Sequence, residues 1–210
     1  MVTPYSQRDT EWAYDGLGHL KSPTMGEAGC LVTAIASVVT DLTEHAMAPG
    51  YLNGWLRENN GFAGSNLFVF ASVVPLGLQL VELIRSQSQP APIERLSAYL
   101  TEGAAVVVLV DAKPGSELDS HWVRLISVNE KDGEIMDPWQ LPGKERVTLS
   151  TYFGEGWSPA RAIFTAAVYR RKSTTRGLLD RSAEADLFEE APLAEESAAY
   201  QPALCLRKAG

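Results

Sequence analysis

Apolar residues recur at helical spacing from Cys30 to Leu42: Leu31, Ala34, Ile35, Val38, Val39 and Leu42 make one face. That pattern predicts a helix laid on a core, with Gly29 breaking the chain just before it. A second helix is expected over residues 51–58, behind Pro49. Leu52, Trp55 and Leu56 point inward, and Asn59-Asn60-Gly61 ends it. A third is expected from an Asn66 cap to about Val74, ahead of Pro75. A fourth should span residues 92–100, with Ile93, Leu96 and Leu100 on one side and Gly103 at its end.

The later half reads as strands. Residues 78–84 alternate weakly, whereas 104–110 form a continuous β-branched run, as expected of a central strand buried on both faces. Segments 121–128 and 134–136 flank Asn129-Glu130-Lys131-Asp132-Gly133, where Asp-Gly marks a hairpin turn. Residues 146–149 and 160–169 are further expected strands. Helices first and an antiparallel sheet later define an α+β layout.

Composition changes near Lys172. Beyond it comes an alanine-rich stretch holding Glu184, Asp186, Glu189, Glu190, Glu195 and Glu196. Residues 1–171 are therefore read as the domain, and 172–210 as an acidic tail. The tail is expected to be disordered or to hold a short helix, with docking to a partner as the alternative to a solvated role. A net charge of −8 argues against nucleic-acid binding, which needs clustered Lys and Arg, and offers no attraction to anionic lipid. The polar N-terminus lacks the apolar core of a secretory signal, and no apolar run is long enough for a membrane span. The expectation is a cytoplasmic protein, or one exported without a cleaved signal peptide. Two cysteines, Cys30 and Cys205, give no disulfide framework.

Three residues form a candidate constellation. Cys30 stands at the start of the strongest helix, where amide N–H groups and the helix dipole favour a thiolate. His121 alone among three histidines opens a strand, after the polar loop 111–120, and supplies a group that titrates near neutrality. Asp137 ends the partner strand of the expected hairpin, so it falls near His121. There it can accept the second ring N–H and fix the tautomer. Each has a plainer role when taken alone: a buried small thiol, a structural histidine, an Asp-Pro turn. Scattered histidines and distant cysteines give no zinc spacing. No phosphate loop or serine elbow is present, so neither metal nor cofactor is expected.

The chain also resembles a known family. The segments that carry the likeness are PYSQRDTEWA at 4–13, GCLVTAIASVV at 29–39, PGYLNGWLRENNGF at 49–62, HWVRLISV at 121–128, DGEIMDPW at 132–139 and VTLSTYF at 147–153. Together they resemble the papain-like cysteine peptidases of the bacteriocin-leader-processing, peptidase-like type, found in bacterial and phage proteins. The resemblance implies a papain-like fold, with N-terminal helices packed on a C-terminal antiparallel sheet. It implies Cys30 as nucleophile, His121 as base and Asp137 as the third member. Gln7 is the implied oxyanion candidate, beside the Cys30 backbone N–H. Relatives more often read Gly-Cys-Gly-Pro-Thr where this chain has GCLVT.

The implied activity is a thiol hydrolase that cleaves a peptide or amide bond through an acyl-enzyme. A peptide, a protein or a cell-wall peptide would be the substrate. Two alternatives stay open: an inactive peptidase-like binding module, and an acyl transferase using the same triad. Trp122 and Trp139 flank two of the candidates, either as walls of a cleft or as core aromatics.

Overall fold

The computed structural model describes residues 2–173 apart from Glu44 and Ser116, so the expected tail from 174 onward, with Cys205, lies outside the described residues. The chain begins with an extended arm and a short helix, α1 (Met25–Ala28), and continues into α2 (Cys30–Leu42) and α3 (Pro49–Glu58). A small hairpin, β1 (Phe62–Ala63) and β2 (Leu67–Phe68), leads to a 3-10 turn at Phe70–Leu76. Then come β3 (Leu78–Arg85), α4 (Ile93–Thr101), β4 (Ala105–Asp111), β5 (Ser120–Val128), β6 (Gly133–Met136) and β7 (Arg146–Thr148). A second 3-10 turn at Leu149–Tyr152 precedes α5 (Pro159–Ala162) and β8 (Thr165–Arg171).

The result is a mixed helix and antiparallel-sheet protein. Six strands form one sheet in the order β3-β8-β4-β5-β6-β7, and every neighbouring pair is antiparallel. β4 explains its own sequence. Ala105, Val107 and Leu109 join the core cluster beneath α2, while Val106, Val108 and Val110 join the cluster beneath α4. Because successive strand side chains point to opposite faces, helices cover the sheet on both sides. A strand without a wet face needs the unbroken apolar run seen here. Each fully buried valine contributes about 1.5–3 kcal/mol of transfer free energy.

Helix α2 spans the residues its periodicity predicts, and α3 starts two residues earlier, with Pro49 in its first turn, where its missing N–H costs nothing. The short α1 escaped the periodicity because it is only a single turn. It is held by a capping box between Thr24 and Glu27. Gly29 separates α1 from α2, and the approach is close: a Cβ there would stand 2.5 Å from the Met25 carbonyl oxygen.

Two expected elements differ. Residues 66–74 do not form an α-helix. Phe62 and Ala63 pair with Phe68 and Leu67, and the 3-10 turn follows, with Pro75 inside it and Gly77 in the left-handed region at its end. The aromatic residues decide this: Phe68 packs on Phe70, and Phe70 on Trp122. Residues 160–169 are not one strand either. Pro159 starts a helical turn after Ser158, and the strand begins only at Thr165.

A buried polar staple ties three parts of the fold. Arg124 of β5 donates to Ser37 Oγ (2.6 Å) and pairs with Asp41 Oδ2 (2.5 Å), both on α2. The Thr3 backbone N–H and hydroxyl donate to Asp41, and Ser37 donates to the Thr3 carbonyl. The N-terminal arm is thereby fixed across α2.

Candidate active site

Cys30 is the first residue of α2, and its side chain lies in the core cluster, 1% exposed. His121 is the second residue of β5, fully buried, opposite Val110 of β4. Asp137 follows the last residue of β6. Its backbone N–H donates to the Glu145 carbonyl (2.7 Å), which fixes where the side chain starts.

The ring of His121 links the other two. Its Nε2–H donates to Asp137 Oδ1 at 2.6 Å, and the imidazole also hydrogen-bonds the Cys30 side chain. With Nε2 on Asp137, Nδ1 is the nitrogen left for sulfur. Burial disfavours a charged imidazole. The hydrogen bonds to Asp137 and Cys30, and the charges of both, outweigh it and raise His121 from 6.5 to about 9. Burial likewise favours a neutral Asp137. The hydrogen bond and charge of His121, with donors from Tyr152 and Gln140, prevail and hold the carboxyl well below its ordinary 3.8. At neutral pH the site therefore holds an imidazolium between a carboxylate and a sulfur. That is the electrostatic setting in which a thiol gives up its proton.

The carboxylate is saturated. Oδ1 also accepts the Trp139 backbone N–H (2.9 Å), and Oδ2 accepts the Tyr152 hydroxyl (2.6 Å) and Gln140 Nε2–H (2.8 Å). Tyr152 lies in the 3-10 turn after β7, and its ring packs on His121 with centroids 5.3 Å apart. Neither Tyr152 nor Gln140 was expected from sequence. Tyr152 stands inside the segment 147–153 used for the resemblance, and Gln140 follows Asp137 by three residues, so both lay in view without a role.

Gln7 is fully buried. Its backbone N–H donates to the Pro138 carbonyl (2.8 Å), next to Asp137. Its side-chain Nε2–H donates to the Gly26 carbonyl (2.9 Å), four residues before Cys30. One hydrogen of that amide stays uncommitted by this bond. Trp122 is a core residue, 2% exposed and packed on Phe70. Trp139 is half-buried, with the Arg8 guanidinium 5.3 Å above its ring. His19 packs edge-on against Phe62, and the structure does not bring it to this constellation. Among the described residues no group of three or more His, Cys, Asp or Glu could hold a metal ion, and no helix is long and apolar enough to cross a membrane.

No known family profile and no curated protein matches this sequence. Among solved structures, a Bacillus anthracis protein given the provisional description of C39-like peptidase is similar. It is 16% identical over 81% of this chain and 99% of its own, with a TM-score of 0.44. A likeness of that degree leaves the reading of the site to its geometry.

Proposed function

We propose that residues 1–171 form a papain-like cysteine peptidase domain that hydrolyses a peptide or amide bond. The carrying observation is the fully buried His121, bound through Nε2 to Asp137 and hydrogen-bonded to Cys30 at the start of a long helix. The thiolate of Cys30 attacks the carbonyl carbon. The His121 imidazolium then gives its proton to the leaving amine as the C–N bond breaks, which leaves a thioester. Water attacks the thioester while His121 takes its proton, and the sulfur leaves as thiolate. Asp137 holds the ring in the tautomer that this cycle needs. Gln7 and the Cys30 backbone N–H are the proposed donors to the oxyanion; the tether of Gln7 to Gly26 and Pro138 supports that role. The substrate class proposed is a peptide, a protein or a cell-wall peptide.

A second reading, a peptidase-like binding module without turnover, draws on the 1% exposure of Cys30, because a nucleophile must reach its substrate. One experiment separates the two. Under the hydrolase reading an electrophilic thiol probe labels Cys30 much faster than Cys205 at neutral pH, and His121→Ala removes the difference. Peptide hydrolysis, lost in Cys30→Ala, accompanies it. Slow labelling, equal at both thiols, ends the hydrolase proposal and leaves the binding module.

A further inference from the structure

The Asp137 carboxylate receives four donors, and they differ in origin. The Trp139 N–H and the Gln140 side chain come from the loop that carries Asp137 itself, two and three residues away, so they fix the carboxylate only relative to its own loop. The other two come from separate elements: His121 from β5, and Tyr152 from the 3-10 turn at Leu149–Tyr152. Tyr152, 3% exposed, does two things at once. Its hydroxyl donates to Oδ2 at 2.6 Å while its ring lies tilted at 48° against the His121 imidazole. The loop's own donors, Trp139 N–H on Oδ1 and Gln140 on Oδ2, oppose rotation about χ2, whereas Tyr152 adds a charge-assisted hydrogen bond that ties the carboxylate, with its loop, to a separate element.

We infer that Tyr152 is a positioning residue for the proposed reaction, setting the Asp137–His121 pair against Cys30 through its hydroxyl and its ring together. This rests on the hydrolase reading of Cys30 and His121. In this role Tyr152 acts through Asp137 and His121, not on the substrate. It acts by holding the base in line and by keeping the buried carboxylate supplied with a donor that water cannot replace there.

The test uses the full chain with Cys205→Ser, so that Cys30 is the sole thiol, and follows alkylation by iodoacetamide across pH. Cys30 should react well below the pH range of an ordinary thiol, and His121→Ala should remove that acid-side reactivity. Tyr152→Phe, which keeps the ring and loses the hydroxyl, should move the acid limb up by about one pH unit, hence about tenfold slower labelling on the limb. It should also broaden or shift the far-downfield proton resonance of the His121 Nε2–H. Gln140→Met should move the limb less. An unshifted limb and resonance in Tyr152→Phe, with His121→Ala still effective, overturns the role of Tyr152 alone. A uniform loss of rate at all pH values, without a shift, also overturns it. A wild-type profile indistinguishable from His121→Ala overturns the parent reading, and this inference with it.

Should Tyr152→Phe not fold, a fluorinated tyrosine placed at 152 keeps the test open. Its hydroxyl is a stronger hydrogen-bond donor than tyrosine's, so the far-downfield His121 Nε2–H resonance should move from its wild-type position. An unmoved resonance overturns the inference.

Discussion

Two buried polar clusters sit on β5, three residues apart, and both join that strand to α2. At His121 the partners are Cys30, Asp137 and Tyr152; at Arg124 they are Ser37, Asp41 and, through them, Thr3. Both carry charge out of water and meet it with short hydrogen bonds, although the buried Arg124 Nε–H has no partner among the described residues. The difference lies in what can move. Burial pushes the Arg124 guanidinium down from 12.5 and Asp41 opposes that, but a guanidinium keeps its proton at any working pH. The Arg124 cluster is a permanent ion pair that holds the arm and helix on the strand. The His121 cluster has the same construction around a group that can release its proton, though only as pH rises toward about 9, with a sulfur beside it. Burial and ion pairing are common to both clusters; only the His121 cluster sets a transferable proton beside a thiol, which is what the proposed chemistry requires.

The sharpest way to separate the clusters is to remove each in turn. His121→Ala should slow Cys30-dependent chemistry by about a thousandfold or more while the protein remains folded, read by probe labelling and circular dichroism. Arg124→Met should do the reverse. It takes the counter-charge from a half-buried Asp41, leaving it only the Thr3 donors, and should cost about 3 kcal/mol of unfolding free energy in urea, with Cys30 reactivity retained in the folded fraction. If Arg124→Met silences Cys30 at conditions where the fold is intact, the division between staple and site fails.

A smaller effect concerns pH. The His121 pKa is raised to about 9 in the folded protein. The stability it contributes is thus complete below 6.5, and it is lost as pH rises through about 9. Urea midpoints should fall across that window in the wild type and stay level there in His121→Ala. Asp137 has the opposite sign, because its pKa is depressed: its contribution is present above 3.8 and lost as pH falls below that. The smallest effect belongs to the surface. Arg146→Ala removes an exposed pair with Glu134 and should change stability by no more than about 0.5 kcal/mol by thermal melt.

Much of the framework was legible along the chain, for a local reason. The run from Ala105 to Val110 is apolar at every position because both faces are covered, and α2 shows its single stripe because one side packs on the sheet. The hairpin across Asn129–Gly133 was legible from turn chemistry, and it brings β5 and β6 together, with Arg124 opposite Met136. The misreadings also have local causes. A 3-10 turn with an internal proline and a one-turn helix beginning at Pro159 are too short to develop a period. Gln140 and Tyr152 carried no signal because a hydrogen bond from a tyrosine to a carboxylate fifteen residues away leaves no periodic trace.

Sequence alone therefore settled the longer helices and the main strands of the sheet, where their core faces lie, and that a cysteine opens the best helix, because those properties depend on neighbours within a few residues. Tertiary structure decided which nitrogen of His121 meets Asp137, that Tyr152 and Gln140 saturate the other carboxylate oxygen, and that Gln7 is pinned between Gly26 and Pro138. Those contacts join groups far apart in the chain, and only strand register, helix placement and packing bring them within hydrogen-bond distance.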